Sequence, residues 1–135
     1  MPRMGQFNVP LRLTGPTGRS EEVDLLVDTG ATLVILPRSL AERLELVVKF
    51  RKPVLLAGGA EETWPIAEVR VAIGDEDVPT FCFIAPEGPA LLGAVALESL
   101  LLAVDPVAKR LVPTRGLAFP LVCQRLDILT GSAGD

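Results

Sequence analysis

Proline and glycine divide this chain into short apolar pieces, and no other feature restricts its fold as strongly. The 135 residues include 12 glycines and 12 prolines, and the runs between them are rich in Val, Leu and Ile. Most of these runs are too short for a helix, and frequent turn residues are typical of all-β domains. We therefore predict an all-β fold with one or two short helices.

The alternation of apolar residues and turn residues places the elements along the chain. The clearest case is the first run, in which Phe7, Val9, Leu11 and Leu13 share one face of a strand. Strands are predicted at Phe7–Leu13, Val23–Val27, Leu33–Leu36, Val54–Ala57, Thr63–Ile73, Val78–Ala85, Leu102–Val104 and Lys109–Val112. Short helices are predicted at Pro37–Leu44 and Ala94–Leu101.

Size and composition predict a single compact domain that can associate with itself. A mass of 14.4 kDa is within the range of one domain. Hydrophobic residues make up 49% of the chain and the mean hydropathy is +0.42, which leaves apolar surface for an oligomer interface. We assign the domain to residues 1–115 and treat residues 116–135 as a C-terminal tail of undefined structure.

Charge and cysteine content argue against several classes of protein. A net charge of −4 gives no basic footprint for nucleic acid, and we interpret Lys49, Arg51 and Lys52 as a solvated strand face. Cys82 and Cys123 are far apart, which predicts two buried thiols and no disulfide framework or thiolate metal site. The apolar region 90–104 is too short to span a membrane, and the N-terminus lacks the apolar core of a signal peptide. We expect a cytoplasmic protein without a membrane partner.

The absence of histidine restricts the chemistry that the chain can perform. The sequence contains no histidine, so mechanisms that need an imidazole base or an imidazole metal ligand are excluded. Carboxylates must then supply acid-base catalysis. Asp28 is the best candidate, because it ends the apolar strand Leu25–Val27 and is followed by the tight turn Thr29-Gly30.

One carboxylate is not enough to hydrolyse an amide, because one group must donate a proton while another accepts one from water. Two acids within hydrogen-bonding distance share a proton and act as acid and base together. The chain has one Asp-Thr-Gly sequence, so the second acid would come from an identical chain across a two-fold axis. The motif therefore predicts a homodimer.

A faint internal repeat supports a pseudo-symmetric arrangement. The segment 26–30, an apolar pair followed by Asp-Thr-Gly, is echoed by 90–93, an apolar run that ends in Gly93 without an acid. Two dissimilar copies are too few for a stacked array. We interpret them as one half of a pseudo-symmetric barrel.

Three motifs in this order resemble the retropepsin-like aspartic proteases over about residues 7–113: Asp28-Thr29-Gly30-Ala31-Thr32, a glycine hairpin at Gly58-Gly59, and Leu91-Leu92-Gly93. The resemblance implies a closed retropepsin-like barrel with a flap hairpin. It also implies an aspartic endopeptidase that needs no metal or other cofactor and acts on a peptide or protein substrate. The implied site consists of catalytic Asp28, the active-site loop and dimer contacts Thr29, Gly30 and Ala31, the flap residues Ala57, Gly58, Gly59 and Ala60, and the supporting residues Leu91, Leu92 and Gly93.

The chain departs from the viral members of this family at two places. Ala94 follows Gly93 where the viral enzymes usually carry an arginine, which removes a polar group from their dimer-stabilising network. A tail of about twenty residues also follows the last strand. This tail leaves open whether the termini interleave as they do in the viral dimers.

Three alternative interpretations remain at the level of sequence. Asp28 could serve only as a turn-forming aspartate that accepts hydrogen bonds from its own loop. A haloacid-dehalogenase-type phosphatase is disfavoured because Gly30 stands where that motif needs a second aspartate. A retropepsin-like dimer could also bind peptides or serve as an assembly module without cutting. For Trp64 we favour a place in the core or at the base of the hairpin over one in a substrate pocket.

Overall fold

The computed structural model describes residues 6–118 and shows a mostly β protein. Of these residues, 53% are in strands and 12% in helices, which confirms the predicted fold class at this level. The elements, in chain order, are β1 (Asn8–Thr14), β2 (Ser20–Val27), β3 (Val34–Pro37), α1 (Arg38–Arg43), β4 (Val48–Leu55), β5 (Glu61–Ile73), β6 (Glu76–Ala85), β7 (Leu91–Leu92), α2 (Ala94–Leu100), β8 (Leu102–Asp105) and β9 (Arg110–Pro113).

Seven of these strands form one sheet in the order β1-β2-β7-β3-β6-β5-β4. β1 also pairs with β5, with Leu13 opposite Val71, so six strands close into a ring and β4 remains at an edge. β8 and β9 form a separate hairpin. The pairing thus closes a ring of strands.

The two copies of the sequence repeat lie side by side at the centre of the sheet. β2 and β7 are parallel, with Leu26 opposite Leu91 and Val27 opposite Leu92. β3 pairs with β7 on the other side. This arrangement places the end of β2 and the end of β7 next to each other.

Strand alternation forms the core of the ring. Leu11 and Leu13 on β1 are buried, as is Leu25 on β2, because side chains two residues apart point to the same face. Phe7 and Val9 pack against this core while partly exposed, as their spacing predicts. The fully buried side chains include Leu13, Leu25, Leu36, Leu44, Leu92, Leu100, Val34, Val69, Val71 and Cys82.

Both short helices cover this core and begin or end close to the predicted positions. α1 starts at Arg38 because Pro37 still belongs to β3, and Leu40 and Leu44 are buried beneath it. α2 ends at Leu100, one residue before the predicted end. Leu101 adopts the left-handed conformation with φ 54° and terminates the helix.

β4 is longer than the sequence pattern predicts, since it begins at Val48 rather than near Val54. All but one of its residues are exposed, so no apolar alternation marks it in the sequence. Backbone pairing with β5 defines the strand instead. Charged residues and Pro53 on an edge strand oppose pairing with other chains. Lys49, Arg51 and Lys52 are exposed on this strand, as predicted, but alternation places Lys52 on the opposite face from Arg51.

The structure describes one of the two cysteines and only the first residues of the predicted tail. Cys82 is buried and free, whereas Cys123 and most of the tail lie outside the described residues. No helix within residues 6–118 is both long and apolar enough to cross a membrane. The assignment of the domain boundary to residue 115 stays a prediction.

Candidate active site

Backbone hydrogen bonds hold the loop that carries Asp28. The Asp28 N–H donates to the Leu92 carbonyl oxygen over 3.0 Å, which continues the β2–β7 pairing by one residue. The Ala31 N–H donates to the Asp28 carbonyl oxygen, also over 3.0 Å. Both backbone polar groups of Asp28, its N–H and its carbonyl oxygen, are therefore held by hydrogen bonds.

The side chain of Asp28 is half-buried and makes one hydrogen bond within residues 6–118. Its Oδ1 accepts the Gly30 N–H over 2.9 Å, and Oδ2 has no hydrogen-bond partner in that part of the chain. This bond is the one expected of a turn-forming aspartate. The free Oδ2 is what we expect of an acid that binds a ligand. The geometry of this loop is therefore compatible with a turn-forming aspartate and with a catalytic one.

The second motif lies directly behind this loop. Leu92 is buried and Gly93 leaves no space for a side chain, because an added Cβ would meet the Leu33 carbonyl oxygen and lie 2.7 Å from that of Ala31. At the start of α2, the Ala94 N–H donates to the Ala31 carbonyl oxygen over 2.9 Å and the Val95 N–H to that of Thr32 over 3.0 Å. The helix start and the Asp28 loop thus form one hydrogen-bonded unit.

Asp28 lies in the wall of a cleft of about 910 Å³ between its loop and the β4–β5 hairpin. The wall is mostly apolar, and Asp28 and Lys52 are its two charged side chains among residues 6–118. The lining residues are Asp28, Gly30, Ala31, Thr32, Leu33, Ile35, Phe50, Lys52, Pro53, Val54, Leu55, Leu56, Ala57, Trp64, Ile66, Phe81, Phe83 and Leu91. An apolar cleft with few charges suits an extended peptide with apolar side chains.

The predicted hairpin joins β4 to β5 and is exposed. The Leu56 N–H donates to the Ala60 carbonyl oxygen over 2.8 Å, and the Gly59 N–H to that of Leu56 over 2.9 Å. Gly59 has φ 93°, a conformation that favours glycine. A Cβ added at Gly58 would meet no atom of the described chain within 4 Å, so the tip packs against little else.

Five of the predicted site residues line the cleft and six do not. Asp28, Gly30, Ala31, Ala57 and Leu91 line it. The exposed Thr29 lies on the loop beside Asp28, Gly58, Gly59 and Ala60 form the hairpin tip, and Leu92 and Gly93 are buried behind the loop. The structure therefore brings the Asp28 loop and the second motif together. The hairpin tip does not line the cleft.

Sequence analysis missed the aromatic side of the cleft. Trp64 is half-buried at the base of the hairpin, donates from Nε1 to Glu62 over 2.8 Å, and packs edge-on against Phe83 with ring centroids 6.0 Å apart. Phe50 and Phe81 form a second edge-on pair, at 5.6 Å. Trp64 thus occupies the predicted hairpin base and also faces the cleft. Residue order carries no signal that groups these rings, because they come from β4, β5 and β6 and meet only when the sheet forms.

Metal-ligating side chains do not gather near this cleft. Within residues 6–118 no group of three or more His, Cys, Asp or Glu side chains is arranged to hold a metal ion. The thiol of Cys82 faces the core, where burial raises its pKa from 9.0 to about 12. A thiol with so high a pKa stays neutral at physiological pH and is a weak nucleophile.

Comparison with known proteins identifies the class to which this fold and loop belong. Residues 9–96 match the family model described as aspartyl protease. Among solved structures, the protease of the retrovirus EIAV in complex with the inhibitor HBY-793 matches with a TM-score of 0.58 and 17% sequence identity. That match covers 70% of this chain and 88% of the viral chain. No curated protein sequence matches this chain.

The chain belongs to the aspartyl protease family, because the family match spans more than half of its length. The likeness to the EIAV protease adds that the fold is retropepsin-like. Both findings agree with the resemblance drawn from the three sequence motifs.

Proposed function

We propose that this protein is a homodimeric aspartic endopeptidase in which Asp28 of each chain contributes to one shared active site. The observation that carries the proposal is the place of Asp28. It stands on a backbone-fixed loop in the wall of an apolar cleft, with Oδ2 left without a partner in the described chain.

The chemistry assigned to Asp28 follows from the needs of amide hydrolysis. One carboxylate removes a proton from water as the water attacks the peptide carbonyl, and a second, protonated carboxyl group supplies a proton to the leaving nitrogen. Two carboxyl groups that share one proton fill both roles. Of the two charged side chains of residues 6–118 that line the cleft, Lys52 cannot be the second acid. A second copy of Asp28 supplies it in the proposed dimer.

Exposure of the loop is consistent with contact between two chains. Thr29 and Gly30 are exposed, although the backbone around them is held by Leu92 and by the start of α2. A rigid loop that presents exposed residues is suited to meet its own copy across a two-fold axis. Thr29 is the residue to which the family resemblance assigns this contact.

The β4–β5 hairpin is the proposed flap over a bound peptide. Ala57 brings the hairpin to the cleft, whereas the tip residues Gly58, Gly59 and Ala60 are exposed and make few contacts. Segments with few buried contacts open at low free-energy cost. A flap of this kind admits an extended peptide and then excludes water from the reacting bond.

A mixing experiment tests whether the site is shared. Wild-type protein is unfolded and refolded together with a ninefold excess of the Asp28→Asn variant, so that most wild-type chains pair with an inactive partner. For random pairing, cleavage per wild-type chain then falls about tenfold. An active site contained in one chain would lose nothing, and that result would contradict the proposal.

The matched control is Asp24→Asn, because Asp24 is an exposed aspartate on β2, the strand that leads to Asp28. In ninefold excess this variant should raise total cleavage in proportion to total protein. Sedimentation of both mixtures should show dimers at the assay concentration. Peptide binding by the wild-type dimer without any cleavage, over the whole acid pH range, would instead favour the peptide-binding module, for which the cleft is suitable.

A further inference from the structure

Lys52 is the one cation that residues 6–118 contribute to the wall of the cleft. The other lining residues are apolar or uncharged except for Asp28. The residues of β4 that line the cleft are Phe50, Lys52, Pro53, Val54 and Leu55, whereas Arg51 lines a separate cavity beside α1. The ammonium group therefore projects from an otherwise apolar stretch of the wall.

No acid within residues 6–118 neutralises this ammonium group. Four ion pairs form elsewhere in that part of the chain, and none includes Lys52. The residue opposite Lys52 on β5 is Trp64, and the nearby Glu62 already accepts a hydrogen bond from the Trp64 indole. Lys52 is thus available to a carboxylate that arrives from outside the chain.

An aromatic contact gives Lys52 a defined place. Its Nζ lies 5.9 Å from the centroid of the Phe50 ring, within the range of a cation–π interaction. Phe50 itself packs edge-on against Phe81. The ring pair therefore gives the Lys52 ammonium group a favourable aromatic contact in the wall of the cleft.

We propose that Lys52 is a specificity residue that selects peptides with an acidic side chain close to an apolar segment. The inference rests on the proposed endopeptidase function and adds a charge preference to it. Lys52 is exposed to solvent, so a carboxylate that pairs with it gains the modest attraction of a surface ion pair. Because the surrounding wall is apolar, the residues beside the acidic one are expected to be apolar or aromatic.

The test uses blocked decapeptides with a central Phe-Phe pair, in which each flanking position carries Glu, Gln or Lys in turn. At one position, kcat/KM should be roughly fivefold higher for Glu than for Gln, and lower again for Lys. The Glu preference should appear mainly in KM. Lys52→Gln should remove the preference, and Lys52→Glu should reverse it toward Lys.

Lys49→Gln is the matched control, because Lys49 is exposed on the same strand but borders another surface depression beside Thr14 and Gly15. It should keep the Glu preference. The preference should also fade below about pH 4, where a glutamate side chain becomes protonated. A structural effect of Lys52 on the hairpin would not depend on the charge of the peptide.

Binding to the Asp28→Asn variant separates this inference from the proposed function. Trp64 is the only tryptophan of the chain and lines the cleft, so its fluorescence reports peptide binding without cleavage. If Glu and Gln peptides bind and are cleaved equally at every position, the role of Lys52 is overturned and the endopeptidase proposal stands. If no peptide is bound or cleaved, the proposed function fails and the Lys52 inference fails with it.

Discussion

The ends of β2 and β7 are neighbours in the sheet, yet they place very different residues at matched positions. Leu26 and Val27 pair with Leu91 and Leu92, so Asp28 and Gly93 are the next residues along two parallel strands. Asp28 is half-buried in the cleft wall, whereas Gly93 is buried against the carbonyl groups of the Asp28 loop. One strand end presents an acid and the other supplies the space in which the acid's loop fits.

Asp28 and Gly93, which follow paired residues on neighbouring strands, are therefore expected to serve function and stability respectively. Asp28 has a free carboxylate oxygen in the described chain and contributes a single side-chain hydrogen bond there. Gly93 has no side chain, and its missing Cβ lets the Ala31 carbonyl oxygen approach within hydrogen-bonding reach of α2. A change at Asp28 should therefore affect catalysis, and a change at Gly93 should affect folding.

The largest expected effect is on catalysis by Asp28→Asn. Loss of the only carboxylate that residues 6–118 place in the cleft should lower kcat/KM at least about 10³-fold, the range of general acid-base catalysis. The asparagine oxygen can still accept the Gly30 N–H, so the free energy of unfolding should change by less than about 1 kcal/mol. Peptide cleavage and urea denaturation measure the two effects. Retained activity in a folded variant would show that the end of β2 does not supply the catalytic acid.

The second effect is on stability, through Gly93→Ala. The new methyl group would collide with the Leu33 and Ala31 carbonyl groups, and overpacking against backbone should cost about 3 kcal/mol. Gly58→Ala is the control, because a Cβ there meets nothing within 4 Å. Thermal and urea denaturation of both variants give the difference. A Gly93→Ala protein as stable as the control would show that the strand ends are not tightly fitted.

The third effect is a pH dependence that originates in Cys82, which pairs with Val34 on the buried side of the sheet. Burial raises the pKa of the Cys82 thiol from 9.0 to about 12. The unfolded chain therefore loses this proton first, so the stability that the neutral thiol contributes is complete below pH 9 and declines between pH 9 and 12. The slope should approach about 1.4 kcal/mol per pH unit.

Urea denaturation between pH 8 and pH 10.5 measures this slope in the wild type and in Cys82→Ala. The chain has no tyrosine, and lysine titration is common to both proteins, so the difference between the two curves isolates Cys82. Equal slopes would indicate that water reaches the Cys82 thiol and that the side chain is less buried than in the structure.

The smallest effect is at the hairpin tip. Gly59→Ala places a side chain at φ 93° and should cost about 1 kcal/mol, while Gly58→Ala should lie within about 0.5 kcal/mol of the wild type. The measurement is again urea denaturation. A cost as large as that of Gly93→Ala would mean that the tip is packed as firmly as the Asp28 loop.

The sequence predicted the central part of the site because the signals there are local. An apolar strand that ends in Asp28-Thr29-Gly30 and a second strand that ends in Gly93 are both visible in the order of residues. The repeat did not predict that the two strand ends pair with each other, and the parallel register of β2 and β7 is a finding of the structure. Site roles for these residues stay predictions until activity is measured.

The sequence failed where contacts between distant strands decide the outcome. β4 was predicted too short, because an edge strand without a buried face shows no apolar alternation. Lys52 was interpreted only as part of a solvated face, although its strand neighbours place it in the cleft wall. Trp64 faces the cleft through its packing on Phe83 of β6, a pairing that residue order alone does not reveal.

By itself, the sequence determined the β class, the acid at the end of β2 and the glycines that its turns require, because short-range sterics and alternation encode them. Only the tertiary structure decided which side chains share the cleft with Asp28. Strand register brings Phe50, Lys52 and Trp64 to that wall from positions up to 36 residues away in sequence, and register depends on the whole sheet closing at once.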